Sequence, residues 1–123
     1  MTNDLPRFGR PAPTIAVTDL PRALDFYVGV LGFTKTFENG DPVGFAIVER
    51  DVAELHLTLQ PKHVAGTANV AHLLTADAEA LYQHLCAQGV RIIKRLRDAD
   101  YGMRTFVLAD PDGNRLDVGE YLD

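Results

Sequence analysis

The chain has 123 residues, 46% of them hydrophobic and 24% charged, with a formal net charge of −5 and one cysteine. That is the size of one domain, able to bury well over half of its unfolded surface without covalent staples. The acidic balance argues against nucleic acid as a partner, and the sequence contains neither a bilayer-length apolar run nor a signal-peptide core, which argues against a membrane.

The lone Cys86 cannot close an internal disulfide, so a reducing cytoplasm is the expected location. Between Leu85 and Ala87 on a predicted helix, with no cationic residue or histidine at an activating spacing, Cys86 reads as a buried structural thiol.

Residues 1–11 are polar, carry Pro6, Gly9 and Pro11, and read as an arm; a single domain is expected over 12–123. Thr14 to Thr18 alternates as a strand does, with Ile15 and Val17 on one face. A helix is predicted over 20–31, because Leu20, Ala23, Leu24, Tyr27 and Leu31 recur at helical spacing behind Asp19, a good cap, and before Gly32, a stop. Pro21 is tolerated because it falls in the first turn. Strands are predicted over 33–38, 43–50 and 53–60, separated by Asn39-Gly40-Asp41-Pro42 and Arg50-Asp51. After a linker with Pro61, Gly66 and Thr67, the order recurs: a strand over 69–75, a helix over 77–88, and strands over 90–95, 103–109 and 114–120. Asp110-Pro111-Asp112-Gly113-Asn114 is the strongest turn signal in the chain.

The recurrence is visible in the residues themselves. Val17 to Leu24 matches Leu74 to Leu81 at an offset of 57, as does Gly32-Phe33 with Gly89-Val90. The offset becomes 60 for Ile47 and Val107, then 61 for Leu55-His56-Leu57 and Leu116-Asp117-Val118. Two copies with slightly different turns make one pseudo-symmetric domain, with units over about 12–60 and 69–120. The expected fold is α+β: two tandem βαβββ units forming a curved eight-stranded mixed sheet around a groove, with the helices on the outer face.

Alternation then decides which side chains face the groove. In 53–60, Leu55, Leu57 and Leu59 alternate with Glu54, His56, Thr58 and Gln60; in 114–120, Leu116 and Val118 alternate with Arg115, Asp117 and Gly119. The leucine faces belong beneath the helices, leaving a histidine, carboxylates and hydrogen-bonding groups on the opposite faces. Phe37 and Phe45 read first as ordinary core and, in the alternative, as further apolar wall of the groove; His63 reads as a loop histidine and His84 as a helix-surface one.

The stretch IAVTDLPRALDFYVGVLGF at 15–33 and its counterpart YGMRTFVLADPDGNRLDVGE at 101–120 resemble the vicinal oxygen chelate superfamily, which includes glyoxalase I, extradiol dioxygenases, fosfomycin-resistance transferases and bleomycin-resistance proteins. The resemblance covers nearly all of the chain after residue 12. Enzymes of the superfamily hold a divalent metal through the first and last strands of each unit. Carried over, the last-strand positions fall on His56 and Asp117, whereas the first-strand positions fall at Ala12 and among Asn69, Val70 and Ala71, none a good ligand. His72, 57 positions after Ile15, is expected on the helix-packed face.

Loss of the first-strand ligands within the fold resembles the bleomycin-resistance branch, whose members do no chemistry and hold a drug in two grooves of a homodimer, often exchanging N-terminal arms. Tyr101-Gly102 matches an aromatic-glycine pair of that branch, with Tyr where Trp is expected, and the chain has no Trp. The leading expectation is therefore a dimer that sequesters a small, bleomycin-like and cationic molecule without cofactor or metal, using Glu54, His56, Tyr101 and Asp117. The alternative is a metal-dependent lyase, isomerase, transferase or dioxygenase, with Zn, Ni, Mn or Fe on His56, Asp117 and a repositioned His72, and Glu49 or Glu54 as general base.

Overall fold

The structure is a computed structural model and describes residues 4–123; the first three residues of the expected arm lie outside the described residues. From residue 4 to Pro13 the chain makes no helix or strand. The elements then run β1 (Thr14–Val17), α1 (Leu20–Gly29), β2 (Thr34–Gly40), β3 (Val43–Arg50), β4 (Ala53–Leu59), β5 (Asn69–Leu74), α2 (Ala78–Ala87), β6 (Ile92–Ala99), β7 (Met103–Ala109) and β8 (Arg115–Tyr121). This is βαβββ twice, as expected.

The strands are shared between two sheets of four, ordered β1-β4-β3-β2 and β5-β8-β7-β6. In each sheet the first strand of the unit runs parallel to the last, and the other pairings are antiparallel. Each helix packs on one face of its own sheet. Among the described residues no helix is long and apolar enough to cross a membrane.

Both helices start where a side chain replaces the missing backbone partner. Asp19 accepts from the Arg22 amide and Asp77 from the Ala80 amide, each at 3.0 Å. These caps are 58 residues apart, one more than the offset read from the sequence. Helix α1 ends at Gly29, earlier than the leucine stripe implies, because the Val30 and Leu31 amides both turn onto the Phe26 carbonyl. Strand β6 runs four residues further than expected, to Ala99, because its residues pair along β7 as far as Met103. Cys86 is exposed, a correction to the buried thiol expected: it lies beside Leu85 on α2, but only Leu85 is turned into the core.

One hydrophobic core joins the two units, with Tyr27, Leu57, Phe106 and Leu116 fully enclosed. The Asp110–Asn114 turn locks them together. The buried Asp110 carboxylate accepts from the Tyr27 hydroxyl (2.8 Å), the amides of Asp112 and Asn114 (both 2.9 Å) and Asn114 Nδ2 (2.9 Å). Asn114 Nδ2 also donates to the Ala16 carbonyl of the first unit, while its Oδ1 accepts from His63 Nε2, both at 2.8 Å. Asp112 accepts from the Thr18 amide and hydroxyl and from Arg22. A segment that reads as a turn thus also bonds α1 and β1 across the pseudo-symmetric join.

Burial, and then the neighbouring Asp110 carboxylate, push the Tyr27 phenol far above its ordinary value of 10.0. The raised group keeps its proton in the fold while the unfolded chain loses it near that ordinary value. Its stabilisation is therefore complete below that pH and declines as pH rises above it. Urea midpoints measured from about pH 8 to 11 are expected to fall above about pH 10 for the native chain and to fall less for Tyr27→Phe. Equal slopes would rule out the phenol as the source.

Candidate functional site

On the first sheet, the face opposite α1 is set by the ladders: Thr14 lies beside His56, His56 beside Ile47, Glu54 beside Glu49, and Thr58 beside Phe45. Leu55 and Leu57 point the other way, into the core. Arg10, from the N-terminal segment, donates from Nη2 to Glu49 Oε1 (3.0 Å) and to Glu54 Oε1 (2.8 Å). His56 Nε2 donates to Glu54 Oε2 at 2.7 Å; a carboxylate only accepts, so that nitrogen carries the proton. The histidine hydrogen bond, and after it the Arg10 charge, holds Glu54 below the ordinary carboxylate value of 4.5.

Phe45 meets the His56 ring edge-on with centroids 5.4 Å apart, and Phe37 meets Phe45 at 6.3 Å. Phe37 is half exposed. These two rings therefore lie on this face and outside the core cluster, which favours the alternative reading over the core one: β2 is an edge strand whose bulge between Lys35 and Phe37 aligns Phe37 with Ile47.

On the second sheet, Asp117 lies beside Val107 and beside His72, and His72 Nδ1 donates to Asp117 Oδ2 at 2.6 Å. His72 therefore shares the Asp117 face and is not on the helix-packed face the sequence reading gave it. A register shift between Asn69 and Ala71 turns Ala71 and Leu73 toward the core and His72 outward. In the parallel ladders His72 occupies the place that Thr14 holds in the first unit. Gly119 lets these side chains close over it: a Cβ there would sit 2.6 Å from Met103 Cε and 3.2 Å from His72 Cε1.

The four groove residues taken from the sequence are thus distributed. Glu54 and His56 adjoin on the first sheet, Asp117 lies on the second, and Tyr101 stands exposed in the turn between β6 and β7. Among the described residues, no hydrogen bond or ion pair joins Tyr101 or Asp117 to Glu54 or His56. The metal alternative divides the same way, with His72 and Asp117 together and His56 on the other sheet. Among the described residues no three His, Cys, Asp or Glu side chains are grouped to hold an ion. The described residues of a single chain therefore do not bring together the three ligands that a divalent centre takes.

His84 is exposed on α2, as expected, and His63 is spent on Asn114. A hollow of about 500 Å³ lies on the helix side of the first sheet, lined by Leu20, Leu24, Pro42, Val43 and Leu59 among others. Its two carboxylates are occupied elsewhere, Asp19 capping α1 and Glu38 pairing with Lys35. Arg10 was missed as a groove residue, because nothing in the sequence ties it to the sheet; His72 was expected in the groove only if repositioned, in the metal alternative, and the register shift is what turns it outward.

Two βαβββ units that share one core, each with a helix on one sheet face and ionisable side chains on the other, define a duplicated βαβββ fold. The sequence model described as the Glyoxalase/Bleomycin resistance protein/Dioxygenase superfamily matches residues 8–118, and the chain belongs to that superfamily. It is 26% identical to the bleomycin resistance protein of Geobacillus stearothermophilus, over 85% of this chain and 90% of that protein. It is equally identical to an uncharacterised protein of Mycobacterium bovis, over 89% of this chain and 81% of that one. Among solved structures, a superfamily member from Sphaerobacter thermophilus aligns with a TM-score of 0.75 at 29% identity, covering 90% of this chain and 97% of that one. The bleomycin-binding protein of Streptomyces verticillus, complexed with copper(II)-bleomycin, aligns with a TM-score of 0.75 at 25% identity, covering 97% of this chain and 99% of that one.

Proposed function

We propose that this protein binds and sequesters a small molecule without metal, as a homodimer whose exposed sheet faces wall the ligand. The observation that carries this reading is the seat of Arg10. One guanidinium nitrogen rests between Glu49 and Glu54, and Glu54 also accepts from His56, whose ring meets Phe45 and through it Phe37. A ligand with a cationic group on a flat ring meets the same charge and the same rings in that place. The relatives named for bleomycin resistance and bleomycin binding support such a ligand. Phe8, fully exposed beside the anchored Arg10, supports a dimer in which N-terminal segments are exchanged and the ring is covered.

Calorimetric titration with bleomycin and with copper(II)-bleomycin is expected to show saturable binding at about micromolar levels or tighter. Light scattering is expected to give twice the chain mass. Absence of binding by either ligand would leave bleomycin resistance as a property of the relatives alone.

The position of His72 favours a second reading, a metal-dependent enzyme. With His72 and Asp117 on one exposed face and His56 on the other, a centre with Zn, Ni, Mn or Fe needs two copies to supply its ligands. Metal analysis of the purified dimer decides between the readings: tightly held stoichiometric metal sinks the metal-independent one.

A further inference from the structure

We propose that the exposed face of the second sheet is a subsite for a small organic anion, a carboxylate or a phosphate or sulfate monoester with an apolar body. The proposal rests on the reading of the sheet faces as ligand walls, and it names the chemistry that the second wall takes.

Strand β7 runs down the middle of this face. Lys94 lies beside Val107 and Arg97 beside Thr105 from β6, while Arg115 lies beside Ala109 from β8. Val107 and Thr105 point away from the main core, yet they are only 4% and 2% exposed. Neighbouring strands are about 4.8 Å apart, so β6 and β8 are about 10 Å from each other, a span that long side chains close from both sides over β7. Among the described residues none of these three cations has a salt-bridge or hydrogen-bond partner.

Asp117 is the carboxylate of this face, and His72 already engages it. Three unpaired cations therefore share a face with one occupied carboxylate, in a chain whose net charge is negative. The first sheet shows the opposite pattern, with its carboxylates paired by Arg10 and His56. Lysine and arginine carry only donors, and an oxyanion accepts from several of them at once. Leu74 and Tyr121 lie on the same face and are well exposed, which supplies apolar surface for the rest of the ligand.

Phenyl phosphate is a suitable probe, followed by amide shifts of the full ¹⁵N-labelled chain, with benzyl alcohol as the uncharged control. Saturable shifts are expected at Thr105, Val107 and Gly119 with a Kd of about a millimolar or below, and none with benzyl alcohol. The triple variant Lys94→Gln, Arg97→Gln, Arg115→Gln, checked by its unchanged spectrum elsewhere, is expected to weaken binding about tenfold or more. Non-saturable shifts, shifts on other surfaces, or equal binding by the triple variant overturn the proposal. So does a triple variant that changes only the chain's mass in solution, because the cations then serve a second copy's Glu49 and Glu54. Bleomycin titrated into the same samples, read at Phe45, Ile47 and His56, tests the cationic wall separately, so one wall can fail without the other.

Discussion

Asp110→Ala is expected to cost about 3 kcal/mol or more of unfolding free energy, the largest effect of any single polar substitution proposed for this chain. The carboxylate accepts four hydrogen bonds in a buried setting, two of them from the Tyr27 hydroxyl and Asn114 Nδ2. Removing it leaves the Tyr27 hydroxyl, fully enclosed in the core, without its acceptor. Tyr27→Phe removes the donor instead, and Asn114 Nδ2 still occupies the carboxylate, so its cost is expected near 1 kcal/mol. A double-mutant cycle in urea is expected to show coupling between the two sites, because they share one hydrogen bond. Additive effects, or a loss under about 1 kcal/mol for Asp110→Ala, would mean that the turn does not hold the units together.

The second large effect concerns ligand affinity. If a cation binds at Glu49 and Glu54, the double variant Glu49→Gln, Glu54→Gln keeps the shape of the face and removes its charge. Affinity for copper(II)-bleomycin is expected to fall by about tenfold or more, with little change in stability, since these carboxylates are solvent-accessible and their pairs are screened. Arg10→Ala is expected to act in the opposite sense. The native guanidinium occupies the seat that an incoming cation needs, so its removal raises affinity severalfold and increases the dependence of binding on salt, because the ligand then meets carboxylates that no internal cation neutralises. Opposite signs for the two variants are the signature of competition. A loss of affinity in both would instead make Arg10 part of the ligand's own contacts, and equal affinity in all three proteins would remove the carboxylates from the site.

Most of the fold was legible from local pattern. Alternation in Leu55-His56-Leu57 and Leu116-Asp117-Val118 fixed which face each strand buries, and the ladders agree. The aspartate caps were legible less evenly. Asp19 stands directly before an apolar helical stripe, whereas the repeat, read at an offset of 57, set Ala76 opposite it and obscured Asp77. The site was only half legible. Glu54 and His56 do adjoin, as their shared face implied, but Asp117 is served by His72. The turn residues Asp110 and Asn114 announced their conformation without announcing that their side chains reach the other unit.

What the sequence determined by itself is the set of elements, their duplication and the inward face of each long strand, because those depend on periods of a few residues within one segment. What only the tertiary structure decided is the outward turn of His72, the charge pairing of Arg10 with two carboxylates, and the separation of His56 from Asp117. The first depends on one extra residue in a parallel pairing, which exchanges the two faces of a strand without altering its composition. The others depend on contacts between segments distant in the chain, where hydrogen-bond geometry and packing, not local preference, choose the partner.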